Sequence, residues 1–458
     1  MNQSTIDEAI YNKYIAPTKL KKERYVGIEI EMPIVNLDKQ PVDIEKVFDM
    51  SRNFQTEFSF DVCSEDDDHH ANAMESPFTN DNLSFDCSYS NLELSMGKGK
   101  NIHELKERFD SYYTFINHYF EKYHYTLTGM GINPYYNINE NKPVPNERYR
   151  MLYHHLHTYK KYKNERRIFH DYPEFGTYTS ASQIQTDIFY HELIDVLNAF
   201  TKLEPYKVLL FANSLHPDEA EYLCSRNMLW EYSMQGYNPH NIGMFEEELG
   251  SIEELLEYIK STSIYCVMRD GKYINFKPTV IDDYLKRDKM EGEFFDGNGY
   301  RRTEFVPDIA DLAYLRSFKF EDLTFRGTIE FRSMCCQPIQ DSMSIAAFHM
   351  GLIDNVGELA QILNEDSVLY THGYNATELQ KMMSKVELPE FVNREKLKGQ
   401  LLRLIDLADR GLKKRGYGEE KYLLPLYDRA EKLSNPARDM HDGLMKGRSV
   451  EDFIKIYS

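Results

Sequence analysis

The segment Arg24–Met32 constrains this chain more than any other, because it predicts a β-strand with two carboxylates on one face. Side chains alternate along a strand, so Ile28 and Ile30 share one face while Glu29 and Glu31 share the other, with Cα atoms about 6.5 Å apart. Two neighbouring carboxylates repel each other, and they require cations between them or a bound proton near neutral pH. For this segment alone, an ordinary solvated strand face is the alternative interpretation.

The composition disfavours several classes of function. The chain has 458 residues, of which 54 are basic and 74 acidic, and its formal net charge is −20. That charge disfavours duplex DNA or an anionic membrane as the main partner, but it leaves room for a local basic pocket that binds a phosphorylated ligand. No run of about 18 apolar residues and no signal-peptide pattern occurs. We therefore expect a soluble, cytoplasmic protein that acts on small molecules, with no nucleic-acid or membrane partner.

Cysteine and histidine positions do not indicate a zinc site. The 6 cysteines lack the spacing of zinc ligands or of a disulfide framework, so we expect reduced thiols. The run Ser64–His70 combines aspartates with two histidines. Neighbouring residues in such a run point in different directions and nothing apolar frames them, so a solvated loop is favoured over a metal site there.

The order of predicted elements favours an α+β fold with an antiparallel sheet. Strand-like runs lie at Arg24–Val35, Glu57–Val62, Leu83–Met96, Tyr125–Ile132, Tyr178–Phe189, Ile264–Met268 and Leu323–Met334. Helical patterns lie between them, at Asn101–Tyr123, Glu147–Tyr159, His191–Leu203, Ile252–Lys260 and Asp308–Phe318. Long helical insertions between strands differ from the short, regular alternation of a doubly wound parallel fold.

The last quarter of the chain is predicted to be almost entirely helical. Helical patterns cover Ser344–Leu363, Arg394–Arg415 and Val450–Tyr457. We therefore divide the chain into a catalytic region, residues 1–340, and a helical C-terminal region, residues 341–458. No linker composition separates the two, so we expect the second region to pack on the first and to close one side of the site.

Four predicted strands carry polar side chains at alternate positions. The second of these regions, Leu83–Ser95, can turn around Tyr89–Asn91, which would bring Asp86 and Glu93 onto neighbouring strands. The polar positions are, in chain order, Glu29 and Glu31, Asp86 and Glu93, Gln183, Gln185 and Asp187, and Glu330 with Arg332. Taken singly, each pattern is typical of the wet side of a strand. Taken together, they predict a concave sheet whose hollow face collects five carboxylates, glutamines and an arginine, with helices on the outer face.

The chemistry of these side chains indicates a metal-assisted reaction of a phosphate compound. Carboxylate and amide oxygens without a Cys or His cluster suit hard divalent ions such as Mg²⁺ or Mn²⁺. Such ions keep positions open for substrate phosphates, and an arginine beside them stabilises a phosphoryl group in transfer. The sequence has no GxxxxGK[ST] loop, no strand-preceded GxGxxG and no GxSxG motif. If ATP is bound, the metals therefore have to bind most of its phosphate charge.

These residues, in this order, resemble the glutamate-cysteine ligase family, particularly its plant and proteobacterial branch, within the glutamine synthetase-like superfamily. The resemblance runs through most of the chain and rests on an ordered set of motifs. They are Gly27–Glu31, Asp86 and Glu93, Gly129–Pro134, Arg148 with Tyr149, Thr179–Asp187, Leu210–Ser214, Ser225 and Arg226 with Trp230, Arg269–Ile274, Ile329–Arg332 and Gly411–Tyr417.

The resemblance implies ATP-dependent amide formation between the γ-carboxylate of glutamate and the amine of cysteine, through γ-glutamyl phosphate. It also implies metal ligands at Glu29, Glu31, Asp86, Glu93, Gln183 and Glu330. Arg332 would contact the transferred phosphoryl group, and with Glu29 and Glu330 it forms the predicted catalytic set. Arg226 would bind the α-carboxylate of glutamate, and the further candidates for phosphate or substrate binding are Arg148, Lys272 and Arg326. For two of these residues there is a purely structural alternative: Arg148 would cap a helix, and Lys272 would be a charge at a hairpin tip.

The identity of the amine remains open at this point. The segment Ser333–Pro338 and the glutamine at Gln185 depart from the plant-type pattern near the expected substrate pocket. One alternative is a ligase that joins glutamate, or another acid, to a different amine in a specialised pathway. A second is a guanidine-type phosphotransferase, and a third is a non-catalytic metal-binding or nucleotide-binding protein. The third is disfavoured, because several buried carboxylates are costly to maintain without a role in handling charge.

Overall fold

A nine-stranded antiparallel sheet forms the centre of the molecule, in a computed structural model that describes residues 3–165, 169–216 and 221–458. The strands are β1 Val26–Asn36, β2 Asp61–Glu65, β3 Ala71–Glu75, β4 Asn82–Phe85, β5 Asn91–Gly99, β6 Tyr125–Leu127, β7 Ser182–Asp187, β8 Ile242–Gly243, β9 Ser263–Arg269, β10 Lys272–Val280, β11 Met290–Phe295, β12 Tyr300–Phe305, β13 Phe318–Lys319, β14 Glu321–Leu323 and β15 Thr328–Phe331.

The central sheet has the strand order β14-β15-β7-β1-β5-β4-β3-β2, and β6 pairs with the far end of β1. A second, four-stranded antiparallel sheet has the order β12-β11-β10-β9. The short strands β8 and β13 pair in parallel. The predicted α+β class with an antiparallel sheet is confirmed.

The helices cover one face of the central sheet and build the C-terminal part. They are α1 Gln3–Ile10, α2 Ile44–Phe58, α3 Ile102–Glu121, α4 Glu147–His157, α5 Tyr159–Tyr162, α6 Leu193–Phe211, α7 Ser225–Glu231, α8 Ile252–Ser261, α9 Ile281–Tyr284, α10 Ser344–Ile353, α11 Val356–Asn364, α12 Ala376–Met383, α13 Arg394–Arg415, α14 Leu424–Lys432, α15 Pro436–Met445 and α16 Val450–Tyr457. Helices α3 and α10 pack against β1, and α6 packs against β14.

Strand β1 illustrates why the sheet has one apolar and one charged face. Ile28 and Ile30 are at most 1% exposed and belong to the main hydrophobic core beneath the helices. The alternating residues Glu29 and Glu31 point to the other side, because successive side chains of a strand point to opposite faces. Burial of the apolar row fixes the register, since a slip of one residue would put the carboxylates into the core.

Two sequence predictions of secondary structure were wrong. The run Glu57–Val62 was predicted as a strand, but α2 continues to Phe58 and β2 begins only at Asp61. The helix expected over Asp308–Phe318 is a short 3-10 helix, Ile309–Tyr314, followed by β13. In the acidic run, Asp66 is buried, His70 is half-buried against Phe48, and the other residues are exposed. The carboxylate of Asp66 accepts hydrogen bonds from the backbone N–H groups of Asp68 and His70.

The C-terminal helices share the core of the sheet. Helix α10 packs against β1 and β7, and α13 packs against α10. From α14, the buried Arg429 donates to the carbonyl of Leu210 at 2.9 Å and to Oε1 of Gln337 at 2.7 Å. No β-strand follows β15 in residues 332–458. This packing agrees with the expected helical region, while the boundary at residue 340 stays a prediction.

None of the helices in the described part of the chain combines the length and apolarity needed to span a bilayer.

Candidate active site

The charged face of the central sheet lines a cavity of about 470 Å³, called here the acidic cavity. Its carboxylates are Glu29, Glu31, Asp86, Glu93, Asp322 and Glu330, and its arginines are Arg148, Arg226, Arg316, Arg326 and Arg332. The sheet places the acidic residues by simple register. On β1, Glu31 lies opposite Glu93 of β5, and Glu29 lies opposite Gln183 of β7.

Three carboxylates form a group at one end of the acidic cavity. Asp86 starts the turn between β4 and β5, which brings it beside Glu93 as the hairpin prediction required. One carboxylate oxygen from each of Glu31, Asp86 and Glu93 lies within 4.8 Å of the others. The hydroxyl of Tyr149 donates to Asp86 at 3.4 Å. This group is called here the carboxylate triad.

A second charged group lies on the other side, on β14 and β15. Asp322 and Glu330 are opposite each other in the register of these two strands. The guanidinium Nη1 of Arg332 lies 3.0 Å from Oε1 of Glu330. The same guanidinium lies over the ring of Phe318, with 5.4 Å from Cζ to the centroid. The predicted catalytic residues are therefore together in one cavity.

Burial disfavours the ionised form of these carboxyl groups. It raises the pKa of Glu29 and Glu31 well above the ordinary value, and neighbouring carboxylates, Glu330 for the first and Asp86 for the second, raise it further. Burial also raises the pKa of Glu93 to about 7, with a further contribution from Asp86. For Arg332, burial alone would lower the pKa, but the carboxylates of Glu330 and Asp322 raise it above the usual value. The cavity thus favours cations or protons near its carboxylates.

The predicted substrate arginines lie around this cavity. Arg226, in the first turn of α7, is 7% exposed and donates from Nη1 to the carbonyl of Arg332 at 3.1 Å. Arg148 lies in α4 at the end with the carboxylate triad, and its charge acts against the rise in the pKa of Asp86 that burial causes. Arg326 is exposed at the tip of the hairpin between β14 and β15.

The structure does not place Lys272 with the other predicted site residues. It lies at the start of β10, where its Nζ donates to the carbonyl of Phe295 at 3.2 Å and lies 3.9 Å from Glu147. This position agrees with the alternative interpretation as a hairpin charge. Asp187, which shares the alternation of Gln183, is likewise engaged elsewhere, in an ion pair with Lys21.

Sequence reasoning missed part of the cavity. Asp322 was detectable, since it alternates with the buried residues Glu321 and Leu323 beside the predicted Glu330 strand. Arg316 had no detectable signal, because it lies in an irregular segment before β13. Its guanidinium Nη2 donates to the hydroxyl of Tyr273 at 3.0 Å.

The oxygen donors of the triad fit a hard divalent cation. Three carboxylates share a space of metal-site dimensions, and the side chain of Gln183 lies beside them with its Nε2 donating to Glu31 at 3.1 Å. The Oε1 atom of Gln183 is buried and has no hydrogen-bond partner among the residues that the structure describes. An unpartnered buried acceptor next to three carboxylates favours a cation, and an all-oxygen set suits Mg²⁺ or Mn²⁺ better than zinc.

Three comparisons extend this picture. The model of the glutamate-cysteine ligase family 2 (GCS2) matches residues 25–455. No curated protein is similar enough in sequence to match the chain. Among solved structures, a glutamate-cysteine ligase (gshA) from Francisella tularensis in complex with AMP has a TM-score of 0.52 at 12% identity, covering 96% of this chain and 88% of that one. A bifunctional glutathione synthetase from Pasteurella multocida has a TM-score of 0.42 at 10% identity, covering 98% and 53%.

The family match, over a sheet whose buried face carries carboxylates and arginines, places the chain in the class of carboxylate–amine ligases. Within this class the chain belongs to glutamate-cysteine ligase family 2, since the family model covers nearly all of its residues. It is accordingly an enzyme of the kind that joins glutamate to cysteine, and the phosphotransferase alternative is not favoured.

Proposed function

We propose that the acidic cavity couples cleavage of ATP to formation of γ-glutamylcysteine through γ-glutamyl phosphate, with Mg²⁺ or Mn²⁺ as the cation. The observation that carries this proposal is one cavity that holds the carboxylate triad at one end and the pair Glu330 and Arg332 at the other, with Arg226 beside them. Such a site can neutralise ATP and glutamate together, since its carboxylates attract cations and its arginines attract the substrate oxygens.

Six side chains would hold the cations. Glu31, Asp86, Glu93 and Gln183 form one oxygen-donor set, and Glu29 and Glu330 belong to a second set near Arg332. When bound, the cations would neutralise the phosphate oxygens of ATP and the glutamate carboxylate that attacks the γ-phosphorus.

Arg332 stabilises the phosphoryl group in transfer. In this step an oxygen of the glutamate γ-carboxylate attacks the γ-phosphorus of ATP, and the bond to the bridging oxygen of ADP breaks. Negative charge spreads over the transferred group, and a planar guanidinium with several donors matches it. The position of Arg332 is held by the ion pair with Glu330 and by Phe318, which in turn stacks on Trp230 with centroids 4.7 Å apart.

Arg226 binds the α-carboxylate of glutamate. It is buried in the cavity wall, and one of its donors is already engaged with the carbonyl of Arg332. This contact orients the guanidinium and leaves other N–H groups for a substrate carboxylate. Glutamate held at one end by Arg226 would direct its γ-carboxylate toward the neighbouring Arg332.

The nucleotide enters from the end that holds Arg332. There the acidic cavity continues into a second cavity of about 270 Å³, called here the adjoining cavity, which shares Asp322, Arg326 and Glu330 with it. Phe245 and Tyr258 line the adjoining cavity, and such rings suit a purine base. The Francisella ligase, whose structure contains AMP, supports a nucleotide in this fold.

One experiment tests the proposal. The protein is incubated with ATP, Mg²⁺ and glutamate, with and without cysteine, and the products are identified by mass. We expect ADP, phosphate and γ-glutamylcysteine in equal amounts. With hydroxylamine in place of cysteine, we expect γ-glutamyl hydroxamate, since the amine traps an acyl phosphate. Formation of AMP and pyrophosphate would contradict the γ-glutamyl phosphate intermediate, and a phosphorylated amine without free phosphate would indicate a phosphotransferase.

A further inference from the structure

The charged face of the central sheet continues beyond the carboxylate triad with small, uncharged side chains. The strand registers give two rows across β1, β5, β4 and β3. The first row is Glu31, Glu93, Ser84 and Ala73, and the second is Glu29, Ser95, Asn82 and the exposed Glu75 at the outer edge. Between the carboxylates of β1 and β5 and that outer edge, the rows carry hydroxyl, amide and methyl groups.

These small side chains line a groove of about 560 Å³, called here the polar groove. Opposite the sheet, the wall of the groove contains Met268 and Tyr273 from the second sheet. The groove is continuous with the acidic cavity, because Asp86, Glu93 and Arg148 line both. Its volume lies within the range of a complete small-ligand site, about 300–1,000 Å³.

The groove offers unused polar groups. Asn72 lines it at 4% exposure, and its buried Oδ1 has no hydrogen-bond partner in the described part of the chain. Arg148 is exposed at the junction of groove and cavity and forms no ion pair with any residue in the described ranges. The nearby Glu147, by contrast, is engaged with Arg150 at 2.8 Å. The groove thus presents a cation, whose charge also acts on Asp86, together with neutral donors and acceptors.

We propose that the polar groove binds the part of the acceptor that follows its cysteine residue, so that peptides with an N-terminal cysteine are γ-glutamylated. This inference rests on the proposed function, because it places the attacking amine at the carboxylate triad. A peptide group is neutral and needs both a donor and an acceptor, which Asn72, Asn82 and Ser84 supply. The terminal carboxylate of the peptide needs a cation, which Arg148 supplies.

The reaction is the one proposed above, with a longer acceptor. The α-amine of cysteinylglycine attacks the carbonyl carbon of γ-glutamyl phosphate, the bond from that carbon to the phosphate oxygen breaks, and phosphate leaves. The amine loses one proton to the solvent. The balance is ATP plus glutamate plus cysteinylglycine, giving ADP, phosphate and γ-glutamylcysteinylglycine.

The test compares cysteine and cysteinylglycine as acceptors for the same protein preparation, under reducing conditions, with products identified by mass. For the wild type we expect kcat/KM for cysteinylglycine to lie within about tenfold of the value for cysteine, as for substrates that differ in peripheral contacts. In Ala73→Trp the indole fills the groove, so kcat/KM for cysteinylglycine should fall at least about tenfold more than that for cysteine. Val62→Trp is the control, because it adds a side chain of the same size on the neighbouring strand, at an exposed position outside the groove lining. In this variant kcat/KM should stay unchanged for both acceptors.

The outcomes separate the two proposals. Coupling of cysteine without coupling of cysteinylglycine would overturn the groove proposal and leave the proposed function intact. Equal losses for both acceptors in Ala73→Trp would also overturn it. If Ala73→Trp does not fold, Asn82→Leu removes a groove amide with little added volume, and a loss confined to cysteinylglycine supports the proposal while equal rates oppose it. Failure of both acceptors in the wild type would overturn the proposed function, and the groove proposal with it.

Discussion

Glu31 and Glu93 lie directly opposite each other on the neighbouring antiparallel strands β1 and β5. Like charges at opposed positions destabilise a sheet, and here burial also raises the pKa of both carboxyl groups. Asp86 adds a third carboxylate within 4.8 Å. Without a bound cation, this arrangement destabilises the fold. The triad is therefore better explained by a role in cation binding than by a role in packing.

The first prediction follows from that conflict. Glu31→Gln should lower turnover at saturating Mg²⁺ by at least about 10²-fold, because lost charge at a metal site removes several kcal/mol from the transition state. The same change should lower the melting temperature of the metal-free protein, because both oxygens of Glu31 accept hydrogen bonds, from the backbone N–H of Ala181 at 2.6 Å and from Nε2 of Gln183 at 3.1 Å, and an amide NH₂ would face one of these donors. Calorimetry in EDTA and a turnover assay measure the two effects. Glu75→Gln, at an exposed position of β3, should change neither, and normal turnover of Glu31→Gln would contradict the metal site.

A second prediction concerns the guanidinium of Arg332. Arg332→Lys keeps the charge but loses the planar fork that binds Glu330 and lies on Phe318. We expect kcat to fall more than the KM for glutamate rises, which is the signature of an interaction made mainly in the transition state. Steady-state kinetics with varied glutamate and ATP give both parameters. A change in thermal stability alone would instead make Arg332 a structural partner of Glu330.

Alternation of side chains along strands predicted much of the candidate site. It assigned Glu29 and Glu31 to one face, and the turn after Asp86 brought Glu93 to the neighbouring strand as expected. This pattern can be recognised within a few consecutive residues, because one face of each strand is buried in the core and the other faces the cavity. The role of each residue remains a prediction, since side-chain position alone does not fix chemistry.

The parts that the sequence did not predict depend on long-range packing. Arg316 reaches the cavity from an irregular segment that is placed by the parallel pairing of β8 and β13, and no periodic pattern encodes that pairing. Strand β12 of the second sheet was missed because it is rich in charged residues and mostly exposed. Helix α2 was also not predicted, but it was detectable from the sequence. Its apolar residues Val47 and Phe54 are buried on one face, and Asp43 caps its N-terminus.

A third prediction uses the pH dependence of stability. Burial lowers the pKa of Lys319 to about 7, and its Nζ donates to the hydroxyl of Tyr258 at 2.7 Å. In the unfolded chain the pKa of a lysine is about 10.4. Between pH 7 and that value, the unfolded state therefore holds a proton on this lysine that the folded state lacks. The contribution of this site to stability therefore rises with pH across that window.

Lys319→Met removes this titration. The free energy of unfolding of the wild type, relative to this variant, should increase from pH 7 to pH 9.5 in urea titrations. Lys286→Met, at a half-exposed lysine, provides the control, and its difference from the wild type should stay constant. A constant difference for Lys319→Met as well would show that Lys319 is charged in the fold at neutral pH.

A fourth prediction concerns the crossing of α10 and α13. A Cβ atom on Gly411 would lie 1.9 Å from the carbonyl oxygen of Gly351, so Gly411→Ala forces the two helices apart. We expect a loss of about 1–3 kcal/mol in the free energy of unfolding, as for other overpacked cores. Gly399→Ala, on the same helix but in open space, should instead stabilise the protein by about 0.5–1 kcal/mol through helix propensity. Equal effects of the two changes in denaturant titrations would contradict the close crossing.

The last prediction separates the two ends of the acidic cavity. Arg226 is buried beside the carbonyl of Arg332, whereas Arg326 is exposed at the hairpin tip and lines both the acidic and the adjoining cavity. Loss of a charge-assisted hydrogen bond costs about 1.5–3 kcal/mol, so Arg226→Ala should raise the KM for glutamate by about 10- to 100-fold with little change for ATP. Arg326→Ala should give the opposite pattern, with a higher KM for ATP. If both variants raise the two KM values in parallel, glutamate and nucleotide do not bind at separate ends of the cavity.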